Sequence, residues 1–170
     1  MNNMYYGLTS QQHAIDMVVD ICIKLGNGSN HSADKLLLET AQQETHLGRF
    51  RDVNPRGGGI GLTQFDLVGF EDVQERTRDE TKRLVWDAYA LDIDEVEHEA
   101  LAFSPFLAFV FTRLKYRLRP EPIPLTVHER ADYWKRFYNS FEGDGTPAQY
   151  IENAARLQAE TRYRDLLLAS

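Results

Sequence analysis

Residues 37–45 read Leu-Leu-Glu-Thr-Ala-Gln-Gln-Glu-Thr, and their apolar spacing predicts a helix. An α-helix advances about 100° per residue, so Leu37, Ala41 and Glu44 fall nearly in line. Because Leu37 and Ala41 belong to the apolar stripe, Glu44 points along the face that this helix buries. Glu39 lies about 140° from Glu44 by the same spacing, on a different side of the helix.

A carboxylate on an apolar stripe is costly to bury unless it is paired or protonated. Glu44 also falls in the last turn of the predicted helix, where the negative end of the helix dipole opposes a second negative charge. Both effects favour the protonated acid, which is the form that a general acid needs near neutral pH. The alternative interpretation is structural: Glu44 pairs with Arg49 or Arg51 and holds the following loop.

The rest of the sequence predicts an all-α protein with a single domain over residues 1–170. Residues 53–61 contain four glycines and a proline, which excludes a helix and predicts a loop with at most a short β-hairpin. The predicted helices cover residues 10–25, 32–48, 70–90, 105–117, 126–138 and 147–157, and a last helix ends at Leu168.

The most apolar run, residues 101–114, is predicted to form a buried core helix and not a membrane span. About 20 apolar residues are needed to cross a bilayer, and Pro105 interrupts this run near its start. Four basic residues near its end are interpreted as a solvated last helical turn: Arg113, Lys115, Arg117 and Arg119.

Charge and composition exclude several classes of function. The net charge of −7 argues against a nucleic-acid partner, which requires a basic face. The single cysteine, Cys22, excludes an internal disulfide framework and is predicted to be a small buried hydrophobic residue. The five histidines are scattered without a ligand spacing, so the sequence predicts no metal site and no cofactor.

Three short segments occur in one order along the chain: Ala-Gln-Gln-Glu-Thr at 41–45, Gly-Ile-Gly-Leu-Thr-Gln-Phe at 59–65, and Phe-Tyr-Asn-Ser at 137–140. They resemble three motifs of the lytic transglycosylases, a lysozyme-like family. The first resembles the end of the catalytic helix, the second the Gly-Leu-Met-Gln loop, and the third the Ala-Tyr-Asn segment. Thr146 with Tyr150 and Ile151 is similar to the Thr and the Tyr-Val pair that follow in that family.

The resemblance implies an all-α lysozyme-like fold with a cleft for a peptidoglycan glycan strand. Glu44 would protonate the glycosidic oxygen between N-acetylmuramic acid and N-acetylglucosamine, and Tyr138 would place its hydroxyl near Glu44. Gly61 would let the backbone approach the sugar, and Gln64 would bond the glycan. The substrate-binding residues implied by the resemblance are Thr45, Gly61, Leu62, Gln64 and Asn139.

The sequence departs from the family pattern at three positions. Thr45 replaces Ser and keeps the hydroxyl, whereas Thr63 replaces Met and Phe137 replaces Ala, which alters the expected substrate contacts. Most glycosidases use two carboxylates. The lytic transglycosylases, which this sequence resembles, are an exception that uses one Glu. The acids that could supply a second carboxylate here are Asp52, Asp66, Glu142 and Asp144.

The sequence therefore predicts a peptidoglycan-degrading enzyme and leaves open whether it is a lytic transglycosylase or a muramidase. The alternative is a non-catalytic phage virion protein or glycan-binding protein that keeps a lysozyme-like fold. Residues 1–6 have neither the basic nor the apolar region of a signal peptide. A bacteriophage origin is therefore expected, with the protein either in the virion or dependent on a holin. The oligomeric state does not follow from the sequence.

Overall fold

The computed structural model describes residues 4–51, 58–139 and 143–160. These residues form a mainly helical protein, which confirms the all-α class. The sheet that they contain has two short antiparallel strands, β1 and β2. In chain order the elements are α1 (Gln11–Leu25), α2 (Ser32–Thr45), β1 (Gly59–Ile60), β2 (Phe65–Asp66), α3 (Leu67–Arg76), α4 (Asp79–Tyr89), α5 (Pro105–Arg117), α6 (Val127–Trp134) and α7 (Pro147–Glu160).

Local capping fixes where several helices begin. The Ser104 side chain accepts a hydrogen bond from the backbone N–H of Leu107, and Pro105 occupies the first turn of α5. The Thr126 side chain accepts a hydrogen bond from the backbone N–H of Glu129 at the start of α6. A π-helical turn, Lys135–Asn139, continues α6. The predicted helix over 126–138 is therefore confirmed in position, although its last turn is wider than an α-helix.

The predicted single helix over residues 70–90 is wrong, because it is two helices. The backbone is extended at Thr77 and Arg78, between α3 and α4. The break lets α3 pack against α5 while α4 packs against α1, which a straight helix of that length could not do. The predicted last helix ending at Leu168 and residues 53–57 of the predicted loop lie outside the described residues.

Helix α5 is the centre of the core. Three consecutive residues, Phe109, Val110 and Phe111, have no exposed surface, so neighbours surround the helix on every side. Cys22 is also fully buried, as predicted, and burial raises the pKa of its thiol. Among the described residues, no helix has the length and apolar character needed to cross a membrane.

The basic end of α5 is only partly a solvated turn, because Arg117 is exposed whereas Arg113 is not. Arg113 is buried, and its guanidinium donates hydrogen bonds of 3.1 and 3.0 Å to the carbonyl oxygen of Gly26. Arg117 donates to the carbonyl oxygen of Leu25. Both arginines therefore satisfy the free carbonyl groups at the C-terminus of α1, which a helix end needs when it is buried. The sequence pattern did not indicate this tertiary role.

Candidate active site around Glu44

Glu44 lies in the last turn of α2, half-buried, as the sequence predicted. The indole Nε1 of Trp134, on α6, donates a hydrogen bond of 3.2 Å to its Oε1. Trp134 has 0% exposed surface, so the donor is fixed by packing. Arg49, one of the two ion-pair partners considered for Glu44, instead pairs with Glu160 on α7 at 2.6 Å.

The chain turns sharply directly after Glu44. His46 and Leu47 both have a positive φ, 49° and 52°, and Gly48 follows with 77°. The N–H of His46 bonds to the Gln42 carbonyl and that of Leu47 to the Ala41 carbonyl, which closes the helix end. Residues other than glycine seldom adopt this conformation, at a cost of about 1–3 kcal/mol each, and such strain clusters at functional sites.

The hairpin of β1 and β2 places the glycine-containing loop beside this helix end. Ile60 pairs with Phe65, so residues 61–64 form the connecting loop. Gly61 has a φ of 75°, and a Cβ added there would lie 2.2 Å from the Leu101 carbonyl oxygen. The glycine is therefore required by close backbone packing against Leu101. Its predicted approach to a sugar stays a prediction.

Thr45 connects the helix end to this loop. Its hydroxyl donates a hydrogen bond of 2.7 Å to the carbonyl oxygen of Leu62 and accepts one of 3.1 Å from the N–H of Gly48. The side chains of Thr45 and Leu62 are both buried. Any contact of this segment with a ligand would therefore come from the backbone and not from these two side chains.

Tyr138 holds the same loop from the opposite side. Its hydroxyl donates a hydrogen bond of 2.6 Å to the carbonyl oxygen of Thr63. The hydroxyls of Thr63 and Thr112 share a second bond of 2.9 Å. Thr63, which departs from the family pattern, is therefore a buried polar anchor for the loop. A methionine at this position has no hydroxyl, and its thioether sulfur is only a weak acceptor.

The Tyr138 phenol also interacts electrostatically with Glu44. Burial and, after it, the Glu44 carboxylate raise the pKa of the Tyr138 phenol. The phenol therefore stays neutral and acts as a hydrogen-bond donor. Its ring stacks on that of Tyr116, with centroids 5.6 Å apart. The sequence expected this hydroxyl near Glu44, and the structure directs its hydrogen bond to Thr63.

Gln64 lies in the loop at residues 61–64, and Asn139 ends the π-helical turn. Gln64 has a φ of 48°, and its Nε2 donates to the Gly61 carbonyl oxygen at 2.9 Å, which keeps the amide folded against its own loop. The Asn139 Oδ1 accepts a hydrogen bond of 2.7 Å from Lys135 Nζ. Both side chains are half-buried, so each retains some surface for a ligand.

Lys115 is a site residue that the sequence interpretation missed. Its Nζ lies 4.5 Å from the ring centroid of Tyr138 and 5.3 Å from that of Phe65. Burial lowers the pKa of Lys115, and the carboxylates of Asp66 and Glu44 act in the opposite direction. The predicted solvated position is therefore wrong. The i, i+4 spacing of Lys115 from Phe111 was the available signal, because it extends the buried face of α5.

A second buried acid, Glu39, supports the helix that carries Glu44. Glu39 is 1% exposed and forms two hydrogen bonds, of 2.8 and 2.7 Å, with the guanidinium of Arg130. The Tyr150 hydroxyl donates a third of 2.8 Å, and the Tyr150 ring packs against Trp134 with centroids 5.3 Å apart. The network that neutralises Glu39 therefore also positions the donor to Glu44.

Two of the four candidates for a second carboxylate, Asp66 and Asp144, lie within the described residues. Asp66 caps α3 by accepting a hydrogen bond of 2.5 Å from the N–H of Gly69, and it lies near Lys115. Asp144 is exposed. Asp52 and Glu142 lie outside the described residues. Within the described part of the chain, no cluster of three or more His, Cys, Asp and Glu side chains could hold a metal ion.

No protein-family model matches this sequence, and neither a curated protein nor a solved structure matches it. The resemblance to the lytic transglycosylases therefore depends on the three short segments alone. The structure brings these segments together: the end of α2, the loop at residues 61–64 and the π-helical turn contact one another through Thr45 and Tyr138. Trp134, Lys115 and Glu39 are additional residues that no motif indicated.

Proposed function

We propose that this protein cleaves the β-1,4 bond between N-acetylmuramic acid and N-acetylglucosamine in peptidoglycan, with Glu44 as the general acid. A lysozyme-like fold and kinship with the lytic transglycosylases are parts of the same proposal. The observation that supports it best is the hydrogen bond from buried Trp134 to the Glu44 carboxyl group. This bond holds an acid beside a loop whose backbone is anchored by Thr45 and Tyr138.

In the proposed reaction, protonated Glu44 donates its proton to the glycosidic oxygen as the bond from that oxygen to the anomeric carbon breaks. The glycan on the anomeric side becomes an oxocarbenium-like species, and the other half leaves with the proton as a new hydroxyl. A water molecule then attacks the anomeric carbon in a muramidase. In a transglycosylase the sugar's own C6 hydroxyl attacks instead. In both reactions the nucleophile's proton passes to a base, whose identity stays open.

Mass spectrometry of the sugars released from purified peptidoglycan tests the reaction and identifies its type. A 1,6-anhydro product indicates a transglycosylase, and a product heavier by one water indicates a muramidase. Glu44→Gln keeps the size of the side chain and removes the acid, so we expect it to abolish product release. Glu75→Gln is the matched control, because Glu75 is exposed on α3.

The alternative is a glycan-binding or virion protein without turnover. Binding of intact glycan strands without release of any product by the wild-type protein would support this alternative and contradict the enzyme. Equal product release by the wild type and Glu44→Gln would show that another residue is the acid. The expected phage origin also stays a prediction, and detection of the protein in purified virions would test its virion form.

A further inference from the structure

A second feature of the structure lies where the end of α3, the start of α4 and the end of α5 meet. It is a cavity of about 480 Å³, within the range of pockets that hold small molecules. Its described lining carries one carboxylate, that of Glu80, and four arginines: Arg76, Arg78, Arg117 and Arg119. Arg76 is paired with Asp72 and Arg117 donates to the Leu25 carbonyl, but the lining still carries more positive than negative side chains in a chain with a net charge of −7.

Two residues that line this cavity each carry a buried polar atom with no hydrogen-bond partner among the described residues. Thr77 is only 6% exposed, and its Oγ1 is unsatisfied. The Nε of Arg119 is unsatisfied as well. Buried polar groups are nearly always paired in folded proteins, because an unpaired one loses its water without replacement. Both atoms can donate a hydrogen bond, so an acceptor is the missing partner.

The backbone adds further positive potential to the cavity. Thr77 and Arg78 are extended and lead directly into α4, an eleven-residue helix whose N-cap residue, Arg78, makes no capping bond with its side chain. The N-terminus of a helix presents free N–H groups and the positive end of the helix dipole. The residues that line the cavity thus include a buried threonine, several arginines and residues at a helix N-terminus.

We infer that this cavity binds the phosphate group of a small phosphate ester or of a phosphodiester polymer. A tetrahedral phosphate accepts hydrogen bonds from several directions, and the lining offers one arginine directly before α4 and another just after α5. A carboxylate has two coplanar oxygens and would use fewer of these donors. The volume leaves room for an organic group attached to the phosphate. The inference is independent of the proposed glycosidase activity.

Calorimetric titration at constant ionic strength tests the site with three probes: inorganic phosphate, glycerophosphoglycerol as a small phosphodiester, and acetate. We expect saturable binding of at least one phosphate probe and weaker binding of acetate. Stronger binding of the diester would favour a polymer as the natural ligand, and stronger binding of inorganic phosphate would favour a small monoester. Either result supports the site, whereas absence of saturation with both phosphate probes would overturn it.

A double variant and a control locate the binding. Arg78→Gln and Arg119→Gln together should weaken phosphate binding by about tenfold or more, because each removes a charge-assisted donor. Arg83→Gln is the matched control, since Arg83 is exposed on α4 outside this cavity. If Arg83→Gln weakens binding as much as the double variant, phosphate binds the surface nonspecifically and the site is refuted.

Thr77→Val should raise the stability of the phosphate-free protein and weaken its binding of phosphate. Valine has nearly the shape of threonine and lacks the unsatisfied hydroxyl, so the melting temperature without phosphate should rise. The additional rise that phosphate gives to the wild type should become smaller in this variant. A fall in melting temperature without phosphate, together with an unchanged response to phosphate, would contradict the role of Thr77.

Discussion

Trp134 donates its indole N–H to the Glu44 carboxyl group across the interface of α2 and α6, although the two residues are 90 positions apart in the sequence. A second contact joins the same two helices. Arg130, one helical turn before Trp134, forms an ion pair with the buried Glu39. The position of the proposed acid therefore depends on how α6 docks, and not only on the end of its own helix.

Trp134→Phe tests this relationship by keeping an aromatic ring against Tyr150 and removing the N–H donor. We expect kcat for peptidoglycan cleavage to fall by about ten- to a hundredfold with little change in KM, since a hydrogen bond to the carboxylate that Glu44 becomes as it gives up its proton contributes roughly 1.5–3 kcal/mol. Steady-state kinetics and thermal unfolding should be measured together. Trp86→Phe is the control, because Trp86 is exposed and lies on α4. An unchanged kcat would show that the hydrogen bond from Trp134 does not contribute to catalysis.

Tyr138→Phe tests whether the tyrosine anchors the loop. The variant leaves the buried Thr63 carbonyl without its donor, so we expect the free energy of unfolding to fall by about 1–3 kcal/mol and activity to decrease. Tyr89→Phe removes a comparable hydroxyl contact, to Asp20, on an exposed part of the structure. Urea denaturation of both variants gives the comparison. If both variants lose the same free energy of unfolding, the bond from Tyr138 to Thr63 stabilises the fold no more than an exposed hydroxyl contact does.

Gly61→Ala tests the close approach of the loop to Leu101. The added Cβ meets the Leu101 carbonyl oxygen and also strains a positive φ, so we expect a destabilisation of about 1–3 kcal/mol or more, together with loss of activity. Gly58→Ala is a matched control, because a Cβ there has no atom within 4 Å. Chemical denaturation measures both, and a Gly61→Ala variant as stable as Gly58→Ala would contradict the packing described.

Lys115→Met tests the pH dependence that burial of this lysine imposes on stability. The pKa of Lys115 is lowered in the folded protein, mainly by burial, while its value in the unfolded chain is about 10.4. Between these two values the unfolded chain binds more protons, so wild-type stability gains a contribution as the pH rises through that interval. Below the folded pKa the full cost of burying the charge is present.

We therefore expect Lys115→Met to be more stable than the wild type at neutral pH, with an advantage that shrinks towards pH values of about 10. Urea denaturation across this range gives the difference at each pH. Lys24→Met serves as the comparison, because Lys24 is exposed on α1. A Lys115→Met advantage that is constant or grows with pH would show that burial does not lower the pKa of this lysine.

Sequence reasoning located the helix that carries Glu44 because the apolar spacing and the carboxylate lie within one continuous segment. It failed at Thr77 and Arg78, where the charged pattern looked like one continuous helix. The break serves the packing of α3 on α5 and of α4 on α1, and these partners are far apart in the chain. It also misread Lys115, because a basic residue near a helix end is usually solvated.

The sequence by itself determined the helical class, the central helix α5 and the place of Glu44 in the last turn of α2. These features depend on periodicity and capping, which are encoded within about one turn of chain. Only the tertiary structure decided that Trp134 is the donor to Glu44, that Tyr138 bonds to Thr63, and that Glu39 is neutralised by Arg130. Each of these contacts joins residues at least 75 positions apart, and local spacing cannot encode their geometry.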